Sequence, residues 1–438
     1  MEELLRDALR YDYGPTGSRF FFEECYSRLQ AITGFAKTLT DFNRKEIRFY
    51  ARELSHLSRL IAQIERSHIG EFPWAFGESL KKLAERLCAD RDLDKGTQIK
   101  KAGHPLFFIM AEGGLSAFEA RKDSNRTRLC KRQVFTIVVP RSLKHHVLLH
   151  AVLGHEVCHA ALWRSKLHEQ LNVAGVSLGK ITPLTNSQEL LKWIGKACPK
   201  LEAQFKPTIE DVRRRWLQEL LCDLFGLVFM GPAYFAAVRT MLGLSDPTGE
   251  HIDPSHPPHV WRYQMLEYAY RDLGWDNSLP KSVNNDTQVA ALRFNTALFD
   301  YNHSAMCTDT VIRRDLVVSA TKKLSKLLED FGGFGYDKPE AKTLEHLLSD
   351  IQALRPPIGQ TVKTGKIKFL RPDFRQILHV GWLACHTKVD KILPQDSKHD
   401  AFTTINRLCE QAIIQERAIR KSRIRRSGKK KGRDRAGA

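Results

Sequence analysis

His155-Glu156-Val157-Cys158-His159 sets two imidazoles and a carboxylate at a spacing that a helix turns into one site. An α-helix advances about 100° per residue, so His155 and His159 project from one face a turn apart, with Glu156 beside that face. Both imidazoles can then reach one metal ion, and the carboxylate can take a proton from water. Upstream, Pro140 closes an apolar run and Ser142 is a candidate N-cap, so the pattern predicts a helix from Leu143 to Trp163. Leu148, Val152, His155, His159 and Leu162 form its inward stripe. Burying imidazoles on an apolar stripe is costly without partners. A metal satisfies both rings at once, and a pair of hydrogen-bonded core histidines is the alternative.

Zinc in a hydrolytic site takes three protein ligands and leaves a fourth position for water, so a third ligand is expected downstream. A histidine six positions after His159 is ruled out because Ser165 stands there, and no spacing rule favours His168. The stretch Trp216-Leu217-Gln218-Glu219-Leu220-Leu221-Cys222-Asp223 is the better source. Pro207 and Thr208 mark a helix start, Val212, Trp216, Leu220 and Leu227 recur at helical spacing, and Gly231-Pro232 ends the run. Glu219 and Asp223 share a face. The economical reading gives Glu219 to the metal and Asp223 to the outer N–H of a ligand histidine. The alternative is a buried salt bridge to Arg213, Arg214 or Arg215.

HExxH on one helix and ExxxD on a later one resemble the gluzincin zinc metallopeptidases. Ser255-His256-Pro257-Pro258 followed by Arg262 is similar to the (S/T)HPP-x-x-x-R stretch of the CAAX-prenyl protease and heat-shock membrane protease branch. The long gap between His159 and Glu219 is similar as well, and the likeness covers residues 105–265. The resemblance implies a zincin-like core and a Zn2+ cofactor held by His155, His159 and Glu219. It also implies Glu156 as general base and Asp223 behind the ligands. The expected reaction is hydrolysis of a peptide bond in a protein or peptide substrate. Tyr234, His256 and Arg262 follow the Glu219 helix and can donate to the oxyanion, with packing, a turn cap and an ion pair as their respective plain alternatives. Those relatives are membrane-embedded. Here the longest apolar candidate, Leu220 to Val238, contains Asp223 and breaks at Gly231-Pro232, so no membrane span is expected.

The chain has 438 residues, 42% of them apolar, enough for two or three domains. The expected class is α+β and predominantly helical. Residues 1–100 read as a helical region, with an amphipathic stripe from Phe42 to Ser67 and another from Glu78 to Cys88. Residues 101–275 read as the metallopeptidase core, opening on strands at Leu106–Met110, Leu115–Arg121 and Val134–Val139. One edge of that sheet offers strand addition to an extended peptide. The insertion 163–207, with helix signal at Glu189–Lys196, is expected to wall or cover the cleft. Residues 276–416 read as a second helical region with helices at Ile312–Phe331, Pro339–Leu354, Pro372–Leu393 and from Ala401. The stretches Phe331–Asp337 and Arg355–Gly365 read as loops, neither of them a phosphate-binding loop.

Met1 to Asp7 is charged and lacks the apolar stretch of a secretory signal. The nine cysteines are odd in number and form no C-x-x-C pair, which predicts free thiols in a reducing, cytoplasmic setting. Cys158 and Cys222 lie inside the two motif helices and read as small core residues. The net charge is +19, and from Arg417 onward eleven Lys or Arg face one acid, Asp434, so over half of the excess lies there. Residues 417–438 are therefore expected to be a basic tail, disordered in isolation, that solubilises the chain or attracts a polyanion such as nucleic acid or an acidic partner. A catalytically silent zinc-fold scaffold or interaction protein is the alternative to a peptidase.

Overall fold

Three short strands form one sheet in a computed structural model of the chain: β1 (Leu106–Glu112), β2 (Glu119–Lys122) and β3 (Val134–Pro140), in the order β1-β3-β2. The structure describes residues 44–65, 73–88, 106–112, 118–122, 134–164, 186–245, 252–275, 312–330, 332–363, 366–386 and 398–435, with scattered positions between 23 and 37. β3 is central, parallel to β1 with Leu106 opposite Val134 and antiparallel to β2 with Ala120 opposite Ile137. Phe135 to Pro140 are all buried, which accounts for an apolar run interrupted only by Thr136 where a one-sided strand would alternate. α1 (Arg44–Glu65) and α2 (Trp74–Leu87) both pack on β1, and α2 contributes buried Phe76, Leu80, Ala84 and Leu87. The second strand begins at Glu119 rather than Leu115, and residues 113–117 lie outside the described set.

The expected α+β, predominantly helical class matches the element content. After the sheet come α3 (Leu153–Arg164), α4 (Ser187–Ala197), α5 (Pro199–Phe205), α6 (Ile209–Met230), α7 (Pro232–Ser245) and α8 (His259–Asp272). They are followed by α9 (Arg314–Asp330), α10 (Ala341–Gln352), a hairpin of β4 (Gln360–Lys363) and β5 (Lys366–Phe369), α11 (Phe374–His386) and α12 (Lys398–Arg435). Helices α4, α7, α8 and α9 all pack on α6, whose final residues Cys222 to Met230 are buried on every side. A helix apolar all round has to be central. It ends at Gly231, whose φ of 74° suits glycine, and Pro232 opens the next helix.

Several expectations need correction. The HExxH helix starts at Leu153, ten residues later than predicted, after 3-10 turns at Arg141–Leu143 and Leu149–Val152. The reason is tertiary: the backbone N–H of Leu148 donates to Asn406 Oδ1 at 3.0 Å, and its carbonyl accepts from Trp382 Nε1 at 3.1 Å, which takes both groups out of an α-helical ladder. The hairpin β4–β5, with Val362 opposite Ile367, replaces part of the loop expected at Arg355–Gly365. The helix expected at Glu189–Lys196 is present as α4, capped by Asn186 accepting from the N–H of Glu189 at 2.8 Å; residues 165–185 lie outside the described set.

The chain divides into two compact units. One comprises Met1–His145 and His159–Lys166, the other His146–Cys158 and Leu167–Ala438, so the helices after residue 312 belong with α6. Arg375 explains part of this: its guanidinium donates to the carbonyls of Phe229 at 2.8 Å and Phe334 at 2.9 Å, satisfying the end of α6 from α11. The N–H of Tyr336 donates to the carbonyl of Val228 at 2.8 Å. The basic stretch continues a helix in the described residues. α12 runs unbroken to Arg435, because Ala401, Ile405, Cys409, Ala412 and Ile413 bury its first half and supply the nucleus, while Arg and Lys propagate a helix well. Arg417 is itself buried. Among the described residues, no helix is long and apolar enough to cross a membrane.

Candidate metal centre

Asp223 is the centre of a buried polar network on α6. Its Oδ1 accepts from Tyr234 Oη at 2.7 Å and Arg262 Nη2 at 2.8 Å and lies 2.9 Å from His155 Nδ1; its Oδ2 accepts from Arg262 Nε at 2.7 Å. Both oxygens are thereby satisfied in a place water does not reach, the condition under which a buried carboxylate is tolerated. Burial alone would push the Asp223 carboxyl up, but the Arg262 guanidinium, with help from His155, holds it well below the ordinary carboxylate range. Burial and the Asp223 charge push the Tyr234 phenol well above its usual value, so it remains a donor.

The sequence places these groups by local means. Gly226, one turn after Asp223 on α6, has no side chain, and a Cβ there would lie 2.3 Å from Tyr234 Cε2. The Tyr234 ring therefore rests against α6 at Gly226, and its hydroxyl reaches back to Asp223. Gly154 faces the same spot, where an added Cβ would approach the Cα of Gly226 to 3.3 Å, so the two motif helices touch through glycines. The turn bearing His256 is tethered from α6 as well, since Trp216 Nε1 donates to the carbonyl of Asp253 at 2.8 Å. Trp216 is packed edge-on against Trp261 at 5.7 Å, and Trp261 against Trp193 at 4.4 Å.

These contacts reassign two candidates. Tyr234 and Arg262, expected as oxyanion donors, direct their donors to Asp223, whose buried charge claims them. The buried salt bridge considered for Asp223 does exist, but to Arg262. Arg213 and Arg214 pair outward with Glu210 and Asp211 on the first turns of α6.

The ligand candidates need a finer description. His155 Nε2 lies 3.1 Å from Glu219 Oε2, close to the roughly 3.3 Å between two ligand atoms of one tetrahedral zinc. Burial disfavours a charged His155, but Glu219 and Asp223 outweigh it and hold the imidazole pKa well above its ordinary value. Among the described residues, one group of three side chains has candidate ligand atoms all within 4.8 Å of one another: His155, His159 and Cys222. Glu219 stands outside that group, drawn to His155 and 3.8 Å from the half-exposed His256. Cys222, read from the sequence as a small core residue, is fully buried and is the third member of this group. Its signal was position, three residues after Glu219 and next to Asp223. Glu156 is buried beside His155, and His159 stacks on Trp163 at 5.8 Å. No protein-family profile, curated protein or solved structure matches the chain.

Proposed function

We propose that the chain is a zinc-dependent peptidase of the gluzincin type, acting on a protein or peptide substrate. The observation that carries this reading is His155, with Nδ1 anchored by Asp223 and Nε2 turned to Glu219, so that one nitrogen is fixed and the other is available to a cation. His155, His159 and Glu219 would hold the ion, which supplies Lewis acidity and brings the pKa of water toward neutrality.

The remaining work belongs to the side chains. Asp223, itself fixed by Arg262 and Tyr234, keeps the His155 ring in one orientation. Glu156 takes the proton of the attacking water and returns it to the leaving amine. His256 is the donor to the developing oxyanion, since it is half-exposed and next to Glu219, whereas Tyr234 and Arg262 are engaged. Its pKa is held below the usual value, chiefly by partial burial, so the ring is neutral at neutral pH and keeps one N–H to donate.

Replacing Glu156 with Gln tests the proposal. The variant keeps zinc and loses hydrolysis of an unfolded protein substrate by about 10²- to 10⁴-fold. Equal turnover in the variant and the wild type would reject Glu156 as the base, and absence of turnover in both would favour a zinc-bearing scaffold.

A further inference from the structure

We propose that Cys222 is a ligand of the same metal in a resting form of the site, closing it with a sulfur where water would otherwise sit. This rests on the zinc reading given above. The cysteine is fully buried and in no disulfide, and its Sγ lies within 4.8 Å of a ring nitrogen of His155 and of His159. It follows Glu219 by three residues on α6, so the helix turns both side chains to the same side. Nitrogen and sulfur ligands of one tetrahedral zinc sit roughly 3.3 to 3.6 Å apart, inside the span of this group.

Ligand count then separates two forms. If Glu219, 3.1 Å from His155 Nε2 but outside the group of three, joined His155, His159 and Cys222, the four would make the closed set of a structural zinc site, whereas His155, His159 and Glu219 alone would leave the open position that hydrolysis requires. Closing releases the thiol proton to solvent and expels water; opening returns a proton to the sulfur and readmits water. No electrons move in either direction. A donor set of two imidazoles, a carboxylate and a thiolate also selects thiophilic ions, Zn2+, Co2+ and Cd2+, over Mg2+ and Ca2+.

The full-length protein loaded with Co2+ tests this without reference to turnover. Thiolate ligation gives a near-ultraviolet sulfur-to-cobalt charge-transfer band, which Cys222→Ala and Cys222→Ser lose and Cys158→Ala retains; Cys158 lies equally buried in the HExxH helix but outside the group. Loss of a sulfur ligand weakens Cd2+ binding by at least about tenfold, since changes behind the ligands already cost that much. In zinc-loaded protein, Cys222→Ala hydrolyses substrate several-fold faster than wild type. Cobalt bound at His155 and His159 without the band overturns the role of Cys222 and leaves the zinc reading standing. No cobalt or zinc bound at all overturns both.

Discussion

Arg262 and Asp223, 39 residues apart in sequence, form a two-pronged ion pair with no exposure at the carboxylate: Nε to Oδ2 at 2.7 Å and Nη2 to Oδ1 at 2.8 Å. Breaking a buried pair from one side leaves an uncompensated charge. Arg262→Leu is therefore expected to lower unfolding stability by about 3 to 5 kcal/mol, read from the denaturant midpoint. Adding Asp223→Asn removes the stranded charge and restores part of the loss, so the two changes are strongly non-additive. A mild, additive Arg262→Leu would show that the pair does not hold the network.

The contact between Gly226 and Tyr234 makes a different prediction. Gly226→Ala drives a methyl into the tyrosine ring and is expected to cost about 1 to 3 kcal/mol, against the slight gain that Gly→Ala gives in an open helix. In a Tyr234→Ala background the same change should cost little. Equal costs in both backgrounds, from a double-mutant cycle on thermal or denaturant unfolding, would refute the close approach.

His379 on α11 is fully buried, 2.8 Å from Tyr336 Oη, and burial pulls its pKa down to about 3. In the unfolded chain the ring takes a proton near pH ~6.5. Between those values the unfolded state binds more protons, so this contribution to stability is fully present above pH ~6.5 and falls as pH drops toward 3. The loss reaches on the order of 5 kcal/mol. His379→Leu should flatten the stability–pH curve across this window, and an unchanged slope would mean that the ring charges without unfolding.

The basic end of α12 needs a cut different from the one its composition suggests. Arg417 is buried, so removal from Arg417 would damage the fold, whereas removal from Lys421 spares the packed half. If that end attracts polyanions, the shortened chain binds duplex DNA more weakly and with a shallower dependence on salt. An unchanged salt slope would assign the helix end to solubility.

What the sequence made legible was punctuation and period. Pro207-Thr208 and Gly231-Pro232 bracket α6 to within a residue or two, and the apolar run before Pro140 marks the central strand. The pairing of HExxH with ExxxD led to His155, Glu219 and Asp223, which the structure places in contact. What stayed hidden depends on distant partners. Nothing local says that Arg262 neutralises Asp223, that Asn406 and Trp382 take the backbone of Leu148 and delay the HExxH helix, or that α11 anchors basic α12. The place of Cys222 near His155 and His159 was hidden for a related reason: a small residue on a buried helix reads as core, which it is, until the fold brings its sulfur within 4.8 Å of two imidazoles.

Metal content measured per chain is the most direct test of the account. Wild-type protein, exposed to zinc and then dialysed exhaustively, is expected to retain one equivalent, and the His155→Ala/His159→Ala variant, folded by circular dichroism, none. Zinc retained equally by both proteins, or by neither, would contradict it.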